Sequence, residues 1–247
     1  ESSIAGNNSL HMKKRALDAG ISNAKHEWLL FTDVDCRLQS NWIDGMAKYF
    51  SKQNDYIIGH SGVPWGKKLI NIFQSIDFLL LLIAARGSAK LGHPLACTGQ
   101  NQAYRKSLYK KVKGFSRICN ERQGDDTLFL QICKKWGNAS IKYADDLTTH
   151  VISRQEQTWS SFLNQRLRWS GDANMMWKIN MKFYILMLAT FLLHLILMVL
   201  LFMSIGSYFY FPILVKFISL KFFLEFLLYF SGLQKLNNPI GFIGFVL

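Results

Sequence analysis

The sequence predicts an α/β layer domain followed by an interfacial helix and C-terminal transmembrane helices. Three observations carry that prediction. Short apolar runs alternate with helical patterns through residues 1–153. A stretch from Phe183 to Val215 holds no Asp, Glu, Lys or Arg. Basic side chains crowd just ahead of it, at Arg154, Arg166, Arg168, Lys178 and Lys182.

The elements follow in order. Lys13 to Ala24, with Ala16, Leu17 and Ala19 along one side, has the spacing of a helix closed near Gly20. Trp28 to Phe31 is predicted as a short buried strand, Asn41 to Phe50 as a helix and Tyr56 to Gly59 as another strand. Leu69 to Ala85 is apolar but interrupted by Gln74, Ser75 and Asp77, which predicts a helix in or against the membrane surface instead of a span. Trp159, Phe162, Leu163, Arg166 and Leu167 set a helical spacing that leads toward the membrane. Trp169, Trp177, Lys178 and Lys182 suit its interface, so residues 154–182 form an expected amphipathic interface helix. The remainder, 183–247, is the expected transmembrane region.

Within that region Phe183 to Met203 exceeds the ~20 apolar residues a helix needs to cross hydrocarbon. A buried core helix is the alternative, but such helices are shorter and more polar on one side. Phe211 to Leu233 is a second candidate span. It carries Lys216, Lys221 and Glu225, and a charge at mid-bilayer costs a few kcal/mol, yet Lys221 and Glu225 lie four apart and can pair on one face. A third apolar stretch runs from Pro239 to Leu247. The tail from Phe183 supplies only two of the thirteen net positive charges, and the connection Gly206 to Phe211 has no Lys or Arg. The positive-inside rule therefore predicts a multi-pass protein of the cell membrane (plasma or inner) with its N-terminal domain cytoplasmic. A basic surface beside the bilayer suits anionic lipid headgroups and phosphorylated substrates. Nucleic acid is not an expected partner, because no binding motif accompanies the charge. The segment Glu1 to Asn8 is polar and has the look of the middle of a longer chain. Cys36, Cys97, Cys119 and Cys133 are scattered, which argues against a metal cage or disulfide framework.

Four stretches carry chemistry. In Phe31-Thr-Asp-Val-Asp-Cys36, two acids follow a strand at the end where open α/β sheets bind ligands. Asp33 and Asp35 can both reach a divalent cation, and Mg²⁺ or Mn²⁺ in turn accepts phosphate oxygens; the bland alternative is a solvated turn. Thr98 to Lys106 places Gly99 and Asn101 in a turn before an aromatic and basic segment. Gly124 to Gln131 presents Asp125 and Asp126 at the start of an apolar helix, where the helix dipole favours their charged forms, or where they merely cap it. Gln165, Arg168 and Trp169 set an amide, a planar guanidinium and an indole on the helix that approaches the bilayer, suited to phosphate and sugar or simply to anchoring at the interface. A metal-dependent phosphotransferase or nuclease would also use clustered acids, and a non-catalytic membrane scaffold is a further alternative.

Taken in this order, Asp-Val-Asp, Gly-x-Asn, the paired acids and Gln-x-x-Arg-Trp followed at once by apolar helices resemble the membrane-anchored family 2 glycosyltransferases. That group includes cellulose- and hyaluronan-synthase-like enzymes and ceramide glucosyltransferases. The segment Lys13 to Ile21 also resembles the helix that precedes the family's Asp-x-Asp strand. The resemblance implies a GT-A-like nucleotide-sugar domain, incomplete at its N-terminus, and inverting transfer from a UDP- or GDP-sugar to a lipid or glycan acceptor. It implies that Asp33 and Asp35 hold Mg²⁺ or Mn²⁺ and the donor diphosphate, and that Asp126, beside Asp125, is the general base. Lys13, Gly99, Asn101, Gln165, Arg168 and Trp169 would shape the donor and acceptor site. Asp125 stands where the family more often has Glu. The family's first strand, with the acid that binds the nucleotide base, is expected before Glu1.

Overall fold

The computed structural model describes residues 10–236. The expected third apolar stretch, Pro239 to Leu247, and the polar segment Glu1 to Asn8 lie outside the described residues. In chain order the regular elements are α1 (Met12–Asn23), β1 (Trp28–Phe31), β2 (Arg37–Leu38), α2 (Trp42–Ala47), β3 (Tyr56–Ile58), β4 (Ser61–Gly62), α3 (Leu69–Lys90), β5 (Gln102–Arg105), α4 (Lys106–Lys111), α5 (Thr127–Gly137), β6 (Ile141–Tyr143), β7 (Val151–Ile152), α6 (Trp159–Ser170), α7 (Ala173–Ile179), α8 (Met181–Gly206) and α9 (Phe211–Leu236).

A mixed sheet of order β1-β5-β3-β6 sits at the centre, and a smaller sheet of order β2-β7-β4 lies beside it. In the larger sheet β5 runs antiparallel to both β1 and β3, while β6 is parallel to β3. Side chains alternate across a strand, and the two faces fill two cores accordingly. Tyr56, Ile58 and Tyr104 point to one side, against Phe129, Leu128 and Phe115; Ile57 and Ala103 point to the other, against Trp42 and Met46. Helices cover both faces, so the α/β layer expectation holds, although β5 makes the sheet mixed.

Several expectations are corrected. The strand Trp28–Phe31 forms as expected but is only half-buried at all four positions, because it is the edge strand and pairs with β5 alone. Gln102–Arg105, expected to follow a turn as a basic segment, is a central strand; its buried Gln102, Ala103 and Tyr104 are held by pairing on both sides. Residues 154–182 form two helices, not one, because α6 stops at Ser170 and a turn through Gly171 and Asp172 starts α7.

Helix α3 is longer than expected, at 22 residues, and α8 has 26. Both are long and apolar enough to cross a membrane; half of the apolar stretch of α3 is buried against the protein, and none of that of α8. The core of α3 is real: Leu79 and Ile83 pack on Tyr229 of α9. On α9, Lys221 and Glu225 form the expected pair, 2.6 Å apart.

Candidate active site

One cavity of about 1040 Å³ opens between the sheet's end, α1, the start of α5, and the helices α3, α6, α7 and α8. Every residue expected at the site lines it except Asn101. The side chain of Asn101 turns away and is fully buried. Its amide donates to the carbonyls of His60 and Thr149, each at 2.7 Å, and its oxygen accepts from Trp42 Nε1 at 3.2 Å. An Asn that satisfies three buried groups braces the structure between β3 and the loop before β7; it does not line the cavity, contrary to the expectation from the sequence.

The two acid pairs differ in their surroundings. Asp33 and Asp35 follow β1 in a tight turn, with Cys36 N–H donating to the Asp33 carbonyl at 3.1 Å and Val34 fully exposed at the tip. The Asp33 side chain is half-buried, whereas Asp35 is exposed. Asp125 and Asp126 instead sit under the loop Cys97–Asn101. Gly124, at a φ of 93°, turns the chain into them, and a Cβ there would meet Leu128 Cδ1 at 2.5 Å. Asp126 caps α5 by accepting from Thr127 N–H at 2.5 Å, and also accepts from Gly99 N–H at 3.3 Å. Thr127 ties the same loop down through Cys97, donating to its carbonyl at 2.9 Å. A side chain at Gly99 would stand 3.6 Å from both Asp125 Oδ2 and Lys13 Nζ, so the glycine leaves the acids uncovered toward the cavity.

Lys13 joins the two pairs. From α1 its ammonium reaches Asp125 at 2.9 Å and Asp33 at 3.3 Å. Burial opposes that charge, but Asp125, Asp33 and Asp126 outweigh it and hold the pKa above the ordinary lysine value. The next residue does something else. Lys14 is buried and donates to the carbonyls of Ile118 at 2.5 Å and Gln123 at 3.0 Å, and to that of Glu121. It therefore pins the loop that delivers Gly124-Asp-Asp126.

Burial, and then the charge of Asp125, push the pKa of Asp126 up to about 6. Cap and base are thus compatible: two backbone donors orient the carboxylate, while burial keeps it basic. On the opposite wall, at the turn between α6 and α7, burial followed by repulsion from Asp126 and Asp125 pushes Asp172 up to about 7. Sequence reasoning missed Asp172, Lys14 and the cavity-lining Arg122 and Arg154. The Gly171-Asp172 turn signal inside an apparently continuous helix was the available clue to the first.

The Gln-x-x-Arg-Trp segment divides its labour. Gln165 donates to Glu156 Oε1 at 3.1 Å and accepts from Arg166 at 3.0 Å, and Arg166 pairs with Asp77 of α3. Arg166 also lies 4.2 Å over the Trp169 ring, whose other neighbour is Phe78 at 6.0 Å. Arg168, by contrast, lines the cavity, and no protein partner of its guanidinium is found among the described residues. Arg166, anchored to Asp77 of α3, steadies both Gln165 and Trp169, while Arg168 lines the cavity beside them.

An α/β domain that gathers carboxylates, an ammonium and a guanidinium around one deep cavity at a strand end is built to handle charged, polar substrates. The chain matches the glycosyl transferase family group 2 over residues 28–232 and belongs to that family. It is a glycosyltransferase, and the family's chemistry requires a nucleotide-sugar donor and an acceptor. Comparison with curated proteins finds no significant match.

Proposed function

We propose that the protein is an inverting glycosyltransferase that moves a sugar from a UDP- or GDP-sugar to an acceptor at the cytoplasmic face of the cell membrane. The observation that carries this is the convergence, in one cavity, of Asp33, Asp35, Lys13, Asp126 and Arg168. Asp126 is the base: it takes the proton of the acceptor hydroxyl, whose oxygen attacks the anomeric carbon from the face opposite the diphosphate. The C–O bond to the acceptor forms as the bond to the diphosphate breaks, and the nucleoside diphosphate leaves with the electron pair. Lys13 and Arg168 stand ready to offset the negative charge on that leaving group.

Asp33 and Asp35 fit Mg²⁺ or Mn²⁺. Two carboxylates one residue apart at an open cavity mouth match an ion that is held by one or two acids plus substrate phosphates. Asp33 and Asp35 would hold such an ion from the protein side, and phosphate oxygens of the donor would complete its shell. When bound, the ion supplies further charge stabilisation for the departing diphosphate. Helices α3 and α8, each long and apolar enough to cross a membrane, support a multi-pass anchorage, and the basic residues before α8 support a cytoplasmic catalytic domain.

The test is transfer of radiolabel from UDP- and GDP-sugars in membranes carrying the protein. Sugar incorporation that is lost in Asp126→Asn supports the reading. Release of inorganic phosphate without sugar transfer contradicts it.

A further inference from the structure

The cavity has a second end that the chemistry above leaves unused. Beyond Trp169 its wall turns apolar: Phe78, Leu82 and Ala85 come from α3, Met176 from α7, and Phe183 and Met187 from α8. Helix α9 packs against both α3 and α8, and side chains of α3 and α8 both line the cavity, which therefore follows the seam between these two helices. Leu81 of α3 lines the cavity and is still 48% exposed, which places the seam's outer lip at the surface that the long apolar helices present.

We propose that the acceptor is a hydroxyl-bearing lipid, with its hydroxyl at Asp126 and its hydrocarbon chain along the seam between α3 and α8. This rests on the glycosyltransferase reading and narrows its acceptor to one class. Continuity carries it: the base at one end and the seam at the other belong to a single cavity. A glycan in the apolar end would give up water from its hydroxyls for side chains that cannot hydrogen-bond. A hydrocarbon chain gains there with every methylene buried, and reaches the seam sideways from a bilayer without crossing water. Trp169, fixed by Arg166 and Phe78, marks the boundary at which a polar head meets its chain, as interfacial indoles do. The transfer balances as described: the lipid hydroxyl proton passes to Asp126, the lipid oxygen bonds to the anomeric carbon, and the nucleoside diphosphate departs.

The protein in nanodiscs of a total membrane lipid extract, supplied with radiolabelled UDP- and GDP-sugars and Mn²⁺, decides the matter when products are partitioned between organic solvent and water. Label is expected in the organic phase. Ala85→Phe narrows the seam from inside, and Leu81→Trp narrows it from a half-exposed position where the fold is not at risk; each should cut organic-phase label at least tenfold while UDP or GDP affinity with Mn²⁺ stays unchanged. Label that appears instead in a water-soluble glycan, with Leu81→Trp indifferent, overturns the lipid acceptor and leaves the glycosyltransferase reading standing. Absence of transfer from every donor overturns both.

Discussion

Asp33-Val-Asp35 and Asp125-Asp126 look alike in the sequence and have been given opposite environments. The first pair hangs in an exposed turn after an edge strand, with Asp35 open to solvent. The second is tucked beneath a loop, with Asp125 only 6% exposed and Asp126 gripped by two backbone N–H groups. The first pair stands at the open mouth of the cavity, which suits an ion that arrives with its substrate. Burial makes the negative charge of Asp126 costly, which suits a group that must accept a proton. On the proposed reading the same residue type divides into ion holder and base through its surroundings, and Lys13 ties the two pairs together.

The largest effect should come from the buried pair. Asp126→Asn is expected to lower the transfer rate by about a hundredfold or more, the usual scale for a general base, with nucleotide affinity nearly intact. A variant that keeps close to full rate would remove Asp126 from that role. Next, Asp33→Ala and Asp35→Ala should each weaken Mn²⁺-dependent UDP or GDP binding by about tenfold or more, the scale on which metal sites respond even to loss of an outer-shell partner. Unchanged affinity in Mn²⁺ titrations would erase the distinction between the pairs.

Activity against pH sharpens the comparison further. Transfer needs Asp126 ionised, so the rate should fall as pH drops through about 6, where burial and Asp125 place its pKa. Asp125→Asn removes the repulsion and should move that limb to lower pH. Lys13→Met removes an attraction and should move it to higher pH; shifts in the same direction for both would contradict the assignment. A smaller effect is expected on stability. Lys14→Met keeps the volume but strands three carbonyls in front of Asp125, which should cost about 1–3 kcal/mol in denaturant unfolding.

Much of this was legible in the sequence where the signal is local. The helix before the first strand, the strand Trp28–Phe31, and the long apolar helix from Phe183 follow from spacing and composition alone. So does the Lys221–Glu225 pair, because partners four apart on a helix are set by its pitch. What stayed hidden depends on partners far away in the chain. Strand β5 reads as an aromatic and basic segment, and only pairing with β1 and β3 makes Gln102 and Tyr104 core residues. Asn101 reads as part of a turn with Gly99 and shows nothing of the three buried groups it satisfies. Lys13 and Lys14 are adjacent and identical in type, yet one meets carboxylates and the other carbonyls about a hundred residues away. The apolar end of the cavity is built by α3, α7 and α8 together, so no single stretch announces it.

Calorimetric titration of Asp126→Asn with UDP and GDP in the presence of Mn²⁺, beside its transfer rate, tests the division of labour most directly. Affinity close to that of the unaltered protein, together with a lost rate, is the predicted result. Affinity that falls by the same factor as the rate would show one undivided acid cluster and contradict the account.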